Sequence, residues 1–396
     1  MNISTFTRLT GLLLVAGFFY SCGSSQANID ELLANNNYEQ ALTEIENRLA
    51  EDPAQPHLYI KRGEINATLA RDTDPELRAE LYSRTTEDFE SAQEYGANDS
   101  QLEVIDSLRQ QYWKDEHNDG LRVSDNESLS ERYQRAEIFF QNALILRNDA
   151  VSTLKNLSIA QFNMGKIDEA ILSLKNALNY SEEPSADIYE NLGYLYLEKG
   201  NPEQAALYYE LANKNLQVDL NLAFGLINAY IANGNPEKAA VMLETLVSEH
   251  PQNAKLRNVY GTQLYAITST IMEDLKQAYS QNDTTLVEQI KFEAEGMGDE
   301  AENQLIEAFK RDTSNTEFIE SLAVFYNNLS AQHLSILSVA FEDDKERLRK
   351  KASTLINFAI EYYEKLVQID PNNTEYNNKL DVLKTLKERQ TTSADN

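Results

Sequence analysis

The chain has 396 residues, with 14 glycines, 8 prolines, 1 cysteine and a formal net charge of −29 at pH 7. A single cysteine excludes an intramolecular disulfide framework, and the acidic balance disfavours nucleic acid and anionic headgroups, leaving basic or neutral partners. Scarce Gly and Pro, with no run alternating apolar and polar residues, exclude a β-rich fold and predict an all-α chain.

The N-terminus is a different kind of sequence from the rest. Arg8 precedes an apolar stretch from Leu9 to Phe19, too short to span a bilayer comfortably, and Tyr20-Ser21-Cys22 closes it. This segment resembles a bacterial lipoprotein signal, in which a small residue, here Ser21, precedes a cysteine that is lipidated after cleavage. The resemblance implies a leader over 1–21, lipidation at Cys22 and a flexible polar tether over 22–28. The tether carries no acidic residue, which by the same resemblance implies the cell envelope, on the periplasmic face of an outer membrane. Acyl chains contribute about 0.8 kcal/mol per buried methylene, so several on Cys22 would hold the protein on a membrane permanently.

Helical pairs follow in chain order. Tyr38, Ala41 and Ile45 mark a helix over 38–51 that ends before Pro53, and Tyr59 and Gly63 open a hairpin closing at Phe89 and Ala92. A helix over 101–114 carries Leu102, Ile105, Leu108 and Tyr112 on one face and pairs, across a long polar loop, with Ala136, Phe140 and Ala143. Three windows then repeat one pattern: 151–180, 186–215 and 220–251. Each has an apolar first half, a Gly that ends it (Gly165, Gly200, Gly234) and a second half opening at a small residue (Ala170, Ala205, Ala239), where two helices approach closely. Tyr260-Gly261 and Leu322-Ala323 open two longer hairpins, over 254–313 and 316–371. Their extra residues keep helical periodicity, and Gly296-Met297-Gly298 is expected to break one of the long helices. Residues 374–389 form a terminal helix with a polar outer face, and 390–396 a disordered tail.

The repeat resembles the tetratricopeptide repeat. The middle window supplies Tyr189, Leu192-Gly193, Tyr196, Gly200, Ala205, Tyr209 and Ala212, and the third supplies Leu226, Tyr230, Gly234, Ala239, Leu243 and Pro251. The resemblance is clear over 151–251 and degenerate elsewhere in 29–389. It implies a right-handed superhelical solenoid of about eight hairpins plus a C-terminal helix. It also implies a protein-interaction scaffold that binds a peptide or protein partner in a concave groove lined by first helices.

In peptide-binding members of that family an Asn on the first helix hydrogen-bonds the backbone of an extended peptide. Asn156 and Asn191 stand at this place, one residue before Leu157 and Leu192; the third window has Gly225 there, with Asn228 one turn on. Lys155, Tyr194 and Asn228 complete the expected groove, with Tyr194 and Phe224 as candidate side-chain pockets. Two amides making about four hydrogen bonds at ~1 kcal/mol each give only millimolar affinity, so such pockets are needed for tight binding.

Other motifs carry less. Asp115 to Gly120 has the Asp-x-x-x-Asp-Gly start of a calcium loop, but His117 replaces an oxygen ligand and Glu127 falls one residue late, so it reads as a solvated acidic loop. In the run Asp343 to Lys351, Asp343 pairs with Arg347 and Glu346 with Lys350 at i,i+4, a self-complementary helix surface. The four histidines (His57, His117, His250, His333) are scattered and no glycine-rich phosphate loop occurs, so neither a catalytic site nor a cofactor or metal is expected. Two alternatives stand beside the scaffold. A surface lipoprotein capturing a ligand or glycan predicts aromatic residues on one exposed face. An enzyme predicts a convergent polar cluster within 260–310 or 320–365.

Overall fold

The computed structural model describes residues 29–212, 216 and 218–394, with side chains through 389; Cys22 and the segment before it lie outside the described residues. All regular structure among them is helical, and contacts divide the chain into two compact units, one ending at Met164 and one beginning at Gly165. The first unit holds α1 (Ile29–Ala34), α2 (Tyr38–Glu51), α3 (Pro56–Arg71), α4 (Arg78–Glu94), α5 (Asp99–Ser124), α6 (Arg132–Leu146) and α7 (Val151–Asn163). The second holds α8 (Ile167–Asn179), α9 (Ala186–Glu198), α10 (Pro202–Leu211), α11 (Leu220–Ala232) and α12 (Pro236–Glu249). It continues with α13 (Ala254–Ser280), α14 (Thr284–Arg311), α15 (Thr316–Ile336), α16 (Glu342–Ile369) and α17 (Thr374–Ala394). Helices adjacent in sequence pack as pairs: α3 with α4, α5 with α6, α9 with α10, α11 with α12, α13 with α14 and α15 with α16.

Local signals place the turns. Gly200 and Gly234 follow α9 and α11 at φ +76° and +70°, a conformation that only a residue lacking Cβ adopts freely. Asn201 then caps α10, its side chain accepting from the Gln204 backbone N–H at 3.1 Å, with Pro202 in the first turn where no donor is lost. The alanines predicted to mark close approach, Ala170, Ala205 and Ala239, are fully buried, as are Ala301 and Ala359 in the long hairpins.

Close approach inside a hairpin is set by a missing side chain. A Cβ on Gly63 of α3 would lie 2.8 Å from the Phe89 ring of α4, and one on Gly193 of α9 would lie 2.8 Å from the Tyr209 ring of α10. Gly261 of α13 receives Leu305 of α14 in the same way, at 2.7 Å.

The third hairpin differs from its expected form. No loop follows residue 114; α5 runs on to Ser124, and Gly120 is where Phe140 of α6 packs, 2.5 Å from the place of an added Cβ. The apolar period is hidden because two core positions hold polar groups. Glu116 is fully buried; its Oε1 accepts from Arg71 (2.9 Å), Arg78 (2.7 Å) and the Tyr82 hydroxyl (2.7 Å). His117 lies 2.9 Å from the Thr153 hydroxyl of α7, which also accepts from the Trp113 indole at 2.9 Å. Asp119 is committed to Arg71 and Arg122, so the segment is a helix whose carboxylates serve guanidinium groups.

The two long hairpins form one core. α13, α14, α15 and α16 have 27, 28, 21 and 28 residues, and Met272, Leu275, Tyr279, Leu329, Ile336 and Leu348 are buried together. α14 continues unbroken through Gly296 to Gly298, because its packing against α13 outweighs the roughly 1 kcal/mol penalty of each helical Gly. The chain turns instead at Leu337 to Phe341, where the Phe341 ring meets Tyr279 edge-on at 5.0 Å.

Removing the buried carboxylate in Glu116→Ala takes an acceptor from three donors, leaving Arg71 with Asp119 alone, and is expected to destabilise the first unit by about 3–5 kcal/mol. Denaturant unfolding followed by Trp113 fluorescence checks this. A loss below about 1 kcal/mol would show that the two guanidinium groups find water instead.

Candidate functional site

The first-helix surface of the second unit is built on Tyr209. Its ring sits against Gly193 of α9 and also Gly225 of α11, where an added Cβ would lie 2.6 Å from the ring. Gly225 therefore interrupts the expected row of asparagines for a packing reason: any side chain there would displace Tyr209. Burial pushes the Tyr209 hydroxyl up to about 12, with Tyr194, Glu190 and Glu198 adding to the shift. Beside it Tyr194 is 43 % exposed and hydrogen-bonds Glu198. Asn191 and Asn228 are exposed on the neighbouring helices α9 and α11, and neither amide has a side-chain hydrogen bond among the described residues. Phe224 is half-buried, with the Lys255 ammonium 5.4 Å from its ring centroid, so one face is already occupied. Lys155 and Asn156, half-buried on α7, belong to the first unit. Of the five expected groove residues, Asn191, Tyr194 and Asn228 thus belong to the second unit.

A convergent polar cluster does occur within the long hairpins. Arg347 of α16 pairs with Glu295 of α14 at 2.5 Å, Lys351 lies 4.0 Å from Asp299, and the Tyr326 hydroxyl donates to Glu302 at 2.7 Å. Below them Met272, Leu275, Leu329 and His333 line a cavity of about 30 Å³, the scale of a water site rather than a substrate pocket. Its charges neutralise one another across α14 and α16, which is the arrangement of a helix-packing contact. The basic run of α16 therefore pairs differently from its expected i,i+4 pattern. Arg347 bonds Asp344 and Glu295, the latter a carboxylate of α14, and Lys345 bonds Glu342 at i,i+3. Among the described residues no group of three or more His, Cys, Asp or Glu side chains is placed to hold a metal, and no helix is long and apolar enough to cross a membrane.

The repeat geometry has a family. Tetratricopeptide-repeat models match residues 156–216 and 196–261, so the chain carries tetratricopeptide repeats over this stretch. Proteins of this kind are in general non-enzymatic scaffolds for protein–protein interaction. Similar solved structures include the C-terminal part of a TPR repeat-containing protein from Cytophaga hutchinsonii, at 13% identity over 89% of this chain and 98% of that one, TM-score 0.43. A tetratricopeptide repeat protein from Parabacteroides merdae shows 16% identity over 68% of this chain and 98% of that one, TM-score 0.40. YrrB, described as a TPR protein with an unusual peptide-binding site, shows 16% identity over 52% of this chain and 89% of that one, TM-score 0.38. No curated protein sequence matches the chain.

His333 gives the second unit a pH dependence. Burial, and then the cations Lys351 and Arg347, lower its value to about 4, and its Nδ1 is buried without a hydrogen-bond partner. The unfolded chain takes up this proton first, so the side chain's contribution to stability is present above about 6.5 and lost as pH falls towards 4. The wild-type stability relative to His333→Gln should fall by about 2–3 kcal/mol between pH 7 and pH 4 in denaturant titrations. A difference that does not vary with pH would mean that His333 is solvated in the native protein.

Proposed function

We propose that the protein is a non-enzymatic scaffold of the bacterial cell envelope, lipid-anchored at Cys22, that holds a peptide segment of a protein partner on its first-helix surface. The observation that carries this reading is the pair of exposed, uncommitted amides of Asn191 and Asn228 on neighbouring first helices, with Tyr194 beside them. A side-chain amide both donates and accepts, so two of them can register an extended backbone, and Tyr194 supplies apolar contact. The lipobox-like Phe19-Tyr20-Ser21-Cys22 and the neutral tether support the outer-membrane, periplasm-facing location. The acidic surface favours a basic or neutral partner and supports no role in nucleic-acid binding.

Two experiments test the two halves. A specific protein recovered from envelope extract by the full chain should be lost, or weakened about tenfold or more, with Asn191→Ala/Asn228→Ala, since each amide supplies hydrogen bonds of about 1 kcal/mol. Retention of the partner by the double mutant would remove the amides from the site. Incorporation of radiolabelled fatty acid into the wild type, lost in Cys22→Ser together with membrane fractionation, is expected for the anchor. Equal fractionation of both proteins would overturn it.

A further inference from the structure

The change in hairpin length leaves a step inside the second unit. α12 has 14 residues, whereas α13 and α14 have 27 and 28, so about 20 Å of the long pair runs on past the shorter helix. Towards α15 and α16 this overhang is covered, with Met272, Leu275 and Tyr279 in the common core. Towards α12 it is open, and α12, α13 and α14 enclose a groove of about 600 Å³.

The groove is apolar in its floor and acidic at its rim. Val241, 65 % exposed, and the half-buried Ile267, Ile271 and Met297 line it, and five carboxylates surround them: Glu237, Glu244, Asp274, Glu293 and Glu300. No Lys, Arg or His among the described residues lines it. Among the described residues Glu237, Glu244, Asp274 and Glu293 have no ion-pair or hydrogen-bond partner, and Glu300 has only the Gln304 amide at 2.7 Å. The opposite face of the same α14 shows the contrast, since Glu295, Asp299 and Glu302 there are all met by Arg347, Lys351 and Tyr326. The negative potential is felt inside the groove: the Tyr260 hydroxyl is pushed up to about 12 by burial and by Glu244 and Glu300.

Gly296 adds an independent observation. It stands mid-helix in α14 on the groove wall, where a Gly costs about 1 kcal/mol relative to Ala, yet among the described residues nothing beyond its own stretch of helix backbone lies within 4 Å of the place its Cβ would take. None of the described residues packs into that space; a ligand approaching the backbone would use it.

We propose that this groove docks a basic amphipathic helix of a partner protein. Its apolar stripe rests on Val241, Ile267, Ile271 and Met297 beside Gly296, and its Lys and Arg side chains meet the five carboxylates. The overhang accommodates about four turns, the length over which i, i+3, i+4 and i+7 anchors act together. The carboxylates ring an apolar floor instead of converging on a point, which suits ammonium and guanidinium groups on a helix better than a bare cation. Phosphate-bearing surfaces are repelled. The site is separate from Asn191 and Asn228 and stands or falls without them.

The test uses the full chain and a fluorescent Leu/Lys peptide of about 18 residues with leucines at helical i, i+3, i+4 and i+7 spacing. The peptide should bind, more weakly at high salt, and its Glu-for-Lys counterpart should not. Gly296→Leu fills the groove without changing charge and should weaken binding at least tenfold. Asp274→Lys/Glu293→Lys should do the same, while Glu182→Lys/Glu183→Lys, an equal charge change on an exposed loop, should alter affinity less than twofold. Absence of peptide binding overturns the proposal. So do equal losses in the two charge-reversal variants, which would mark diffuse attraction to an acidic surface, and undiminished binding by Gly296→Leu.

Discussion

Four of the helix pairs of this protein depend on one steric constraint: two helices approach closely where one of them lacks a side chain and the other supplies a large one to fill the space. Phe89 over Gly63, Phe140 over Gly120, Tyr209 over Gly193 and Leu305 over Gly261 are four instances of the same fit. Interiors pack near crystal density, so an extra methyl at such a place has nowhere to go. The alanines at 170, 205, 239, 301 and 359 are likewise fully buried. Where Tyr209 fills two such places at once, at Gly193 and Gly225, packing takes precedence over the polar position that a peptide-binding row would want.

The two units meet the cost of a repeat core in different ways. In the first, polar groups enter the helix interfaces and satisfy one another. Glu116 holds Arg71, Arg78 and Tyr82, and Asp88 holds Arg62 and Asn66, so α3, α4 and α5 are joined by charge-assisted hydrogen bonds. In the second, α13 to α16 are extended until their apolar faces close on one another, and charge is moved to the α14–α16 edge where Arg347 and Lys351 meet Glu295 and Asp299. The extension has a geometric consequence, since a short helix pair cannot cover a long one. The uncovered part of α13 and α14 is where apolar surface, unpaired carboxylates and an unexplained helical glycine coincide.

Much of the fold was legible because the tetratricopeptide pattern repeats local chemistry at fixed spacing. Gly200 and Gly234 with Asn-Pro after them, Ala205 and Ala239, and Tyr209 all sit where their residue types require. The segment 115–124 resembles a loop in sequence because Glu116 and His117 break the apolar period and Asp119-Gly120 imitates a turn. Their partners, Arg71, Arg78, Tyr82 and Thr153, lie between 34 and 45 residues away, beyond any local rule. Gly296-Met297-Gly298 misled in the opposite direction, since intrinsic preference argued for a break that tertiary packing suppresses.

By itself the sequence determined that the chain is helical, that hairpins of tetratricopeptide type follow one another, and where most of them turn. These depend on propensity, capping and period, which act within one or two helical turns. Only the tertiary structure decided which carboxylates are paired. Glu295 and Glu293 are two residues apart on α14 and chemically identical, yet one faces Arg347 and the other an open groove. That difference is set by which helix lies opposite, and by where a 14-residue helix ends beside one of 27, neither of which is written in the residues that share it.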